Sequence, residues 1–228
     1  MECALRGAIS ATSAMVFMAD SERAAGLARE RGVDAGLHLN FTETFSAPAG
    51  HEYLVEHHAR VAKFLRHNRF AQVFYQPRLA NSFEYLVKAQ LGEFRRIYGR
   101  DPARIDGHHH MHLCANVLFG EFLPEGTLVR RSFSFARGEK SWANRFYRKF
   151  VDSRLKRRHR LTDFLFSVEP IEDSKRLLRI FALARHSFVE LETHPANAEE
   201  LLFLQSGKMQ ELLGDLPVAI GFPEIGRE

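Results

Sequence analysis

The stretch Ile105-Asp106-Gly107-His108-His109-His110-Met111-His112-Leu113 holds four histidines within five residues, and the rest of the chain is interpreted around it. Side chains of a strand alternate between its two faces, so a strand over this stretch places His108, His110 and His112 on one side. The Asp-Gly pair indicates a tight turn that delivers the histidines at a strand end. Neutral imidazole is the commonest protein ligand for metals. The alternative is a surface patch of histidines without a ligand.

Two further histidines stand at strand ends far away in the sequence. In Gly36-Leu37-His38-Leu39-Asn40, His38 alternates with leucines and therefore faces away from them. In Glu190-Leu191-Glu192-Thr193-His194-Pro195, the two glutamates share a face, and His194 has the restricted conformation of a residue before proline. Each histidine alone could be an ordinary core or surface residue. Together we interpret the three places as one site at the carboxyl ends of parallel strands.

Short apolar runs alternate with longer helical patterns along the 228 residues, 45% of which are hydrophobic. This alternation predicts an α/β fold of mainly parallel strands in a single domain, 1–228. The predicted strands cover residues 8–18, 33–41, 105–113, 128–135, 187–192 and 218–222. The predicted helices cover residues 20–31, 51–66, 82–98, 145–160, 174–184 and 198–213.

The composition and the N-terminal sequence indicate in which cellular compartment the protein is found. No apolar run is long enough to span a bilayer, and the N-terminus has no secretory pattern. The two cysteines, Cys3 and Cys114, form neither a disulfide framework nor a Cys-x-x-Cys pair. We therefore expect a cytoplasmic location.

Positive charge is concentrated in residues 145–160, which hold eight Lys or Arg and one Asp and so carry a formal charge of +7. Because the whole chain has a net charge of +4, the remainder sums to −3. Phe146, Phe150 and Leu155 fall near helical spacing, which predicts a basic amphipathic helix. Such a helix could make a peripheral contact with an anionic surface, either lipid or nucleic acid. The alternative is a solvated helix that covers one side of the fold.

The ordered set of these motifs resembles the YdjC-like carbohydrate deacetylase family, which includes chitooligosaccharide and hopanoid-associated deacetylases. The resemblance rests on residues 36–40, 106–112 and 190–195. The run of small residues at 7–16 and Arg130 also match the family. The similarity extends over most of the chain and is weakest over 138–161. The family fold is a distorted (β/α) barrel, similar to the barrels of glycoside hydrolases.

The resemblance implies removal of acetyl groups from N-acetylated amino sugars, oligosaccharides or glycoconjugates with a divalent metal, Mg or Zn. His38 and His108 would be metal ligands, and His194 the acid that protonates the leaving amine. Amide hydrolysis needs a polarised carbonyl, an activated water and a proton for the leaving nitrogen. A metal supplies the first two, and a positioned imidazole supplies the third. Further residues would contact the substrate or support the ligands from behind: Asn40, Thr42, Asp106, His110, His112, Arg130 and Glu190.

The chain departs from the family at its start. Family members begin with a strand carrying Asp-Asp-Phe-Gly, whose aspartates supply a metal ligand and a general base. This motif is absent here, so we expect either a start assigned downstream of the true one or an N-terminally truncated barrel with impaired activity. In both cases residues 9–16 would form an exposed edge of the sheet. Histidine ligands without that carboxylate suit zinc or nickel better than magnesium.

Two readings without catalysis remain alternatives. A degenerate barrel could bind sugars or a lipid surface, or the histidine cluster could store several metal ions. No specific nucleic-acid partner is expected, and a homodimer is an open alternative.

Overall fold

The computed structural model describes residues 2–47, 52–67, 70–135 and 138–222. Its strands form two parallel sheets. The four-stranded sheet has the order β1 (Thr12–Ala14), β2 (Ala35–Leu39), β3 (Arg104–Gly107) and β4 (Leu128–Val129). The two-stranded sheet pairs β5 (Phe164–Ser167) with β6 (Val189–Glu192). The mainly parallel α/β architecture predicted from the sequence is confirmed.

Helices follow most of the strands. They are α1 (Glu2–Leu5), α2 (Ser21–Glu30), α3 (Glu52–His67), α4 (Ala80–Tyr98), α5 (Ala115–Gly120), α6 (Trp142–Lys156), α7 (Ser174–Ala184), α8 (Ala198–Gln205) and α9 (Lys208–Leu213). Short 3₁₀ segments occupy Ala71–Val73, Pro77–Leu79 and His108–Leu113. No described helix is long and apolar enough to cross a membrane. The cytoplasmic location stays a prediction.

Alternation along β2 separates the core from the site. Leu37 and Leu39 point to one face and are fully buried with Ile105 of β3 against the large apolar residues of α4, such as Phe83 and Phe94. His38 points to the opposite face. A second apolar cluster lies around α7, α8 and α9 and includes Leu177, Ile180, Phe181, Phe203 and Leu204. One face of the four-stranded sheet is therefore left for polar residues.

The segment after β4 joins the two sheets. Arg130 N donates to Ile105 O of β3 at 2.9 Å, whereas Ser134 N donates to Leu165 O of β5 at 2.8 Å. Because the backbone changes its partner within a few residues, the strand predicted over 128–135 ends at Val129. At the other edge of the four-stranded sheet, β1 pairs with β2 on one side only, within the residues that the structure describes.

Several predicted boundaries differ from the observed ones. The strand predicted over 8–18 shortens to β1, and the helix predicted over 198–213 is broken at Gly207, whose φ is 79°. Residues 218–222 form no strand. Gly221, with a φ of 71°, breaks the extended run, which makes one backbone bond to Ser10. Strand β5 was not predicted. The first residue of the predicted helix 51–66 lies outside the described residues.

Candidate metal and hydrolase site

The histidine-rich stretch leaves the sheet at Gly107 and continues as a 3₁₀ turn. His109 and His110 have φ values of 53° and 56°, a left-handed conformation that is uncommon for residues with a Cβ. Gly107 permits the turn, because an added Cβ would lie 2.9 Å from the backbone N of His112. The predicted strand is therefore wrong beyond Gly107. His108, His110 and His112 therefore do not share one face of a strand.

His38 and Asp106 are partners across β2 and β3, which pair in parallel register at these two residues. His38 Nδ1 lies 2.9 Å from Asp106 Oδ1. An ionised carboxylate can only accept, so this bond places the proton of His38 on Nδ1 and leaves Nε2 as the free acceptor. The ring centroid of His108 lies 5.7 Å from that of His38. The fold thus brings together the two histidines that the resemblance assigns to a metal, and that role stays a prediction.

Asp106 lies in a cationic environment and is 1% exposed. Its Oδ2 lies 2.9 Å from Arg104 Nη2 and 3.1 Å from Arg130 Nη1. Ser13 Oγ of β1 donates to the same oxygen at 2.8 Å. Three strands or strand ends therefore converge on one carboxylate, which in turn holds His38.

The two arginines connect the sheets through the glutamates of β6. Glu190 Oε1 accepts from Arg104 Nη1 at 2.5 Å and from Arg130 Nε at 2.7 Å. Glu192 pairs with Arg130. Glu190 Oε2 and Thr193 Oγ1 are buried and have no partner among the described residues. Buried polar atoms normally have partners, so these two atoms are available to a ligand or to water.

Two further histidines flank Glu192. His110 Nε2 lies 3.5 Å from Glu192 Oε2, and its ring centroid is 4.7 Å from that of Phe133. His194 is 64% exposed, with Nε2 at 3.9 Å from Glu192 Oε1. Its backbone N donates to Glu200 Oε2 at 2.6 Å, which fixes the chain at the exit of β6. His194 therefore presents its ring to solvent at the rim of the site.

The electrostatic environment separates the protonation states of these groups. Burial alone would raise the pKa of Asp106, but the charges of Arg104 and Arg130 hold it well below its usual value. Burial acts in the same way on Glu192, whose pKa is nevertheless lowered to about 2 by the hydrogen bond from His110 and the charge of Arg130. Burial and neighbouring imidazoles lower the pKa of His108 to about 4. At neutral pH the carboxylates are charged, and His108 is a neutral potential ligand.

Three of the predicted residues support the site from behind or beside it. Asn40 is fully buried, and its Oδ1 accepts from the backbone N–H groups of Thr42 and Glu43. His112 is also fully buried and lies 2.9 Å, through Nε2, from Arg130 O. Thr42 Oγ1 lies 3.2 Å from His109 Nδ1. Asn40 and His112 therefore shape the backbone of the site from positions without solvent access.

Sequence reasoning did not single out Arg104, Ser13 or Glu200. Arg104 had a recognisable signal, because it stands two residues before Asp106 and so shares its face of the strand. A cation that faces inward beside a carboxylate in a predicted strand indicates an ion pair. Ser13 and Glu200 gave no comparable signal, since their partners are distant in sequence.

The donor set fits a metal ion in part. His38 and His108 offer two imidazole nitrogens, and Asp106 orients one of them, as carboxylates commonly do for metal-binding histidines. Catalytic zinc sites usually have three protein ligands. Among the described residues, no group of three or more His, Cys, Asp or Glu side chains is arranged to hold an ion. The pair can therefore hold a metal only together with water, substrate or further donors.

Comparisons with known proteins give a consistent set of relatives. The chain is 30% identical over 131 residues to a mouse (Mus musculus) protein named carbohydrate deacetylase. The aligned region covers 54% of this chain and 41% of the relative. It is 34% identical over 115 residues to a chitooligosaccharide deacetylase of Serratia marcescens, covering 50% of this chain and 43% of the relative. A human carbohydrate deacetylase is 31% identical over 130 residues, with 54% and 39% covered. The chain spans about two fifths of the length of these relatives.

A sequence model of the YdjC-like protein family matches residues 1–215, which is nearly the whole chain. The match includes every segment that contributes to the site, from Ser13 on β1 to Glu200 on α8. The chain belongs to the YdjC-like protein family.

Proposed function

We propose that the chain carries the histidine site of a metal-dependent carbohydrate deacetylase that acts on N-acetylated amino sugars, oligosaccharides or glycoconjugates. The observation that carries the proposal is the pair His38 and His108, with ring centroids 5.7 Å apart and His38 held by the buried Asp106. Family membership and the names of the relatives support the same chemistry.

A bound divalent ion, Mg or Zn, would polarise the acetyl carbonyl and lower the pKa of a bound water. His38 would offer Nε2, because Asp106 occupies Nδ1. His108 would offer a neutral ring, because its pKa is lowered to about 4. Imidazole donors suit Zn better than Mg, which prefers oxygen ligands.

His194 would supply the proton that the leaving amine needs. Its ring is exposed at the rim, and its nitrogens lie 3.9 Å from Glu192 Oε1 and 3.8 Å from Glu200 Oε1. An imidazole placed beside the leaving nitrogen is a common general acid in amide hydrolysis.

The two sheets would belong to one open, distorted barrel and to a single domain. The six strands of the described residues are parallel to their partners, and the segment after β4 joins β4 to β5. Arg104 and Arg130 cross from the four-stranded sheet to Glu190 of β6. These ion pairs would lie inside the barrel, at the ends of the strands that bear the histidines.

The test is acetate release from N-acetylglucosamine oligomers by the full chain, with added Zn²⁺ or Mg²⁺ and with a chelator. We expect slow release that depends on the metal and is lost in His108→Ala and in His194→Ala. His186→Ala is the matched control, because His186 is an exposed histidine outside the site. Sugar binding without acetate release would overturn the proposal in favour of a non-catalytic binding module. Release that persists in both site variants would also overturn it.

A further inference from the structure

Helix α6 presents an aromatic face to solvent. Trp142, Phe146 and Phe150 succeed one another every four residues, and their exposed fractions are 81%, 67% and 46%. Residues at this spacing lie on one side of a helix. Of the three apolar residues that suggested an amphipathic helix, only Leu155 is buried. The aromatic residues therefore do not serve the core of the described fold.

The same side of α6 is positively charged. Lys149, Lys156 and Arg157 are exposed and form no ion pair among the described residues. The acidic residue of α6, Asp152, is buried and paired with Arg131, with Arg131 Nη2 2.6 Å from its Oδ2. No carboxylate of the helix thus opposes the exposed cations.

The aromatic surface continues onto α5. Phe119 is exposed, and its ring centroid lies 6.3 Å from that of Phe150. Arg154 lies over the Phe119 ring at 5.8 Å and also pairs with Glu121. A contiguous exposed apolar patch of this kind marks an interaction surface.

We propose that the face formed by Trp142, Phe146, Lys149, Phe150 and Arg157 docks on an anionic lipid membrane. Aromatic rings enter the boundary between headgroups and acyl chains, and lysine and arginine are attracted to anionic headgroups. The face offers both properties on one helix that lies along the surface. The proposal is independent of the deacetylase chemistry.

Charge argues against a second copy of the chain as the occupant. A symmetric contact through this face would oppose Lys149 and Arg157 of one copy to the same cations of the other, and like charges in contact are unfavourable. Single-stranded nucleic acid binds in a charged groove lined by stacking aromatic rings, whereas these aromatic residues lie on the exposed face of a single helix. An anionic bilayer accommodates both features.

The chain has a single tryptophan, Trp142, so its fluorescence reports on this face alone. The full chain is titrated with vesicles of phosphatidylcholine and with vesicles containing 30% phosphatidylserine, at low and at high salt. We expect a blue shift of the emission with the anionic vesicles, weakened by salt, and quenching by brominated acyl chains. An unchanged emission with anionic vesicles would overturn the proposal.

Variants separate the aromatic from the charge contribution. Phe146→Ser should weaken vesicle binding roughly tenfold, because a phenyl ring leaves the apolar phase. The pair Lys149→Gln and Arg157→Gln should weaken it by roughly fivefold for each charge removed. Phe188→Ser and Lys63→Gln change exposed residues elsewhere and should leave binding unchanged.

Other occupants predict different results. A blue shift that grows with protein concentration in the absence of lipid would assign the face to a second copy. A shift produced by RNA or DNA but not by vesicles would assign it to nucleic acid. Either result, or equal loss of vesicle binding in the control variants, contradicts the membrane proposal.

Discussion

Replacement of Arg104 by Met tests whether the buried ion network holds the site. Arg104 is buried and pairs with Asp106 Oδ2 at 2.9 Å and with Glu190 Oε1 at 2.5 Å. Arg104→Met keeps much of the volume of the side chain but removes its charge. Three carboxylates, those of Asp106, Glu190 and Glu192, would then share Arg130.

The magnitude follows from the burial of the pairs. Removal of one partner from a buried ion pair typically costs about 3–5 kcal/mol, because the remaining charge is left without compensation. In Arg104→Met we expect a loss of that size in the free energy of unfolding. The double variant with Asp106→Asn should be less destabilised than the sum of the single variants, by about 1–3 kcal/mol, because the uncompensated carboxylate is also removed.

The assay is equilibrium unfolding in urea at neutral pH, followed by far-UV circular dichroism. Arg95→Met is the matched control, because Arg95 pairs with Asp101 at 2.6 Å on the exposed surface. Exposed pairs contribute at most about 1 kcal/mol. If Arg104→Met costs no more than Arg95→Met, or if the double variant shows simple additivity, the reasoning about the network is refuted.

Three further predictions concern the histidines. His38→Ala and His108→Ala should each weaken Zn²⁺ binding at least tenfold in a chelator competition, since each removes a donor; retained affinity in both would exclude the proposed ligand pair. His194→Ala should bind Zn²⁺ like the parent chain but lose acetate release, and the reverse pattern would mean that the roles of His194 and His108 are exchanged. Burial lowers the pKa of His58 to about 4, below its unfolded value near 6.5, so the stability that its neutral form provides is present above pH 6.5 and is lost as the pH falls towards 4. His58→Gln should therefore lose about 2 kcal/mol less than the parent chain between pH 7 and pH 4.5, measured by urea unfolding, and equal pH dependence would contradict this.

The arrangement of strands and helices could be predicted from the sequence because apolar periodicity determines which segments are buried. β2 alternates Leu37, His38 and Leu39, and the structure buries the leucines and turns the histidine to the other face. The helix predicted over 174–184 has its observed bounds, with Asp173 as the N-cap that accepts from Arg176 N. Local signals of this kind need no knowledge of distant residues.

The turn of the histidine stretch could not be predicted in the same way. A run of polar residues is compatible with a strand, so there is no reason in the sequence to end the predicted strand before His108. Nothing in the local sequence shows that His109 and His110 adopt left-handed conformations. That conformation depends on the close approach of His112 to Gly107 and on the bond of His112 to Arg130 O, both set by tertiary packing. The resemblance supplied the pairing of His38 with His108, which alternation alone did not require.

Asp106 belongs at once to the network that connects the sheets and to the pair that orients His38. A change in Arg104 therefore acts on the stability of the fold and on the position of a proposed ligand through the same carboxylate. His108 forms no ion pair with this network among the described residues, so its replacement should change metal affinity with little change in stability. Fold stability and metal affinity are therefore coupled at Asp106 and separate at His108. If the ion network holds the metal site in place, Arg104→Met should lower both stability and metal affinity, whereas His108→Ala should lower metal affinity alone. If the network is merely adjacent to the site, Arg104→Met should lower stability alone.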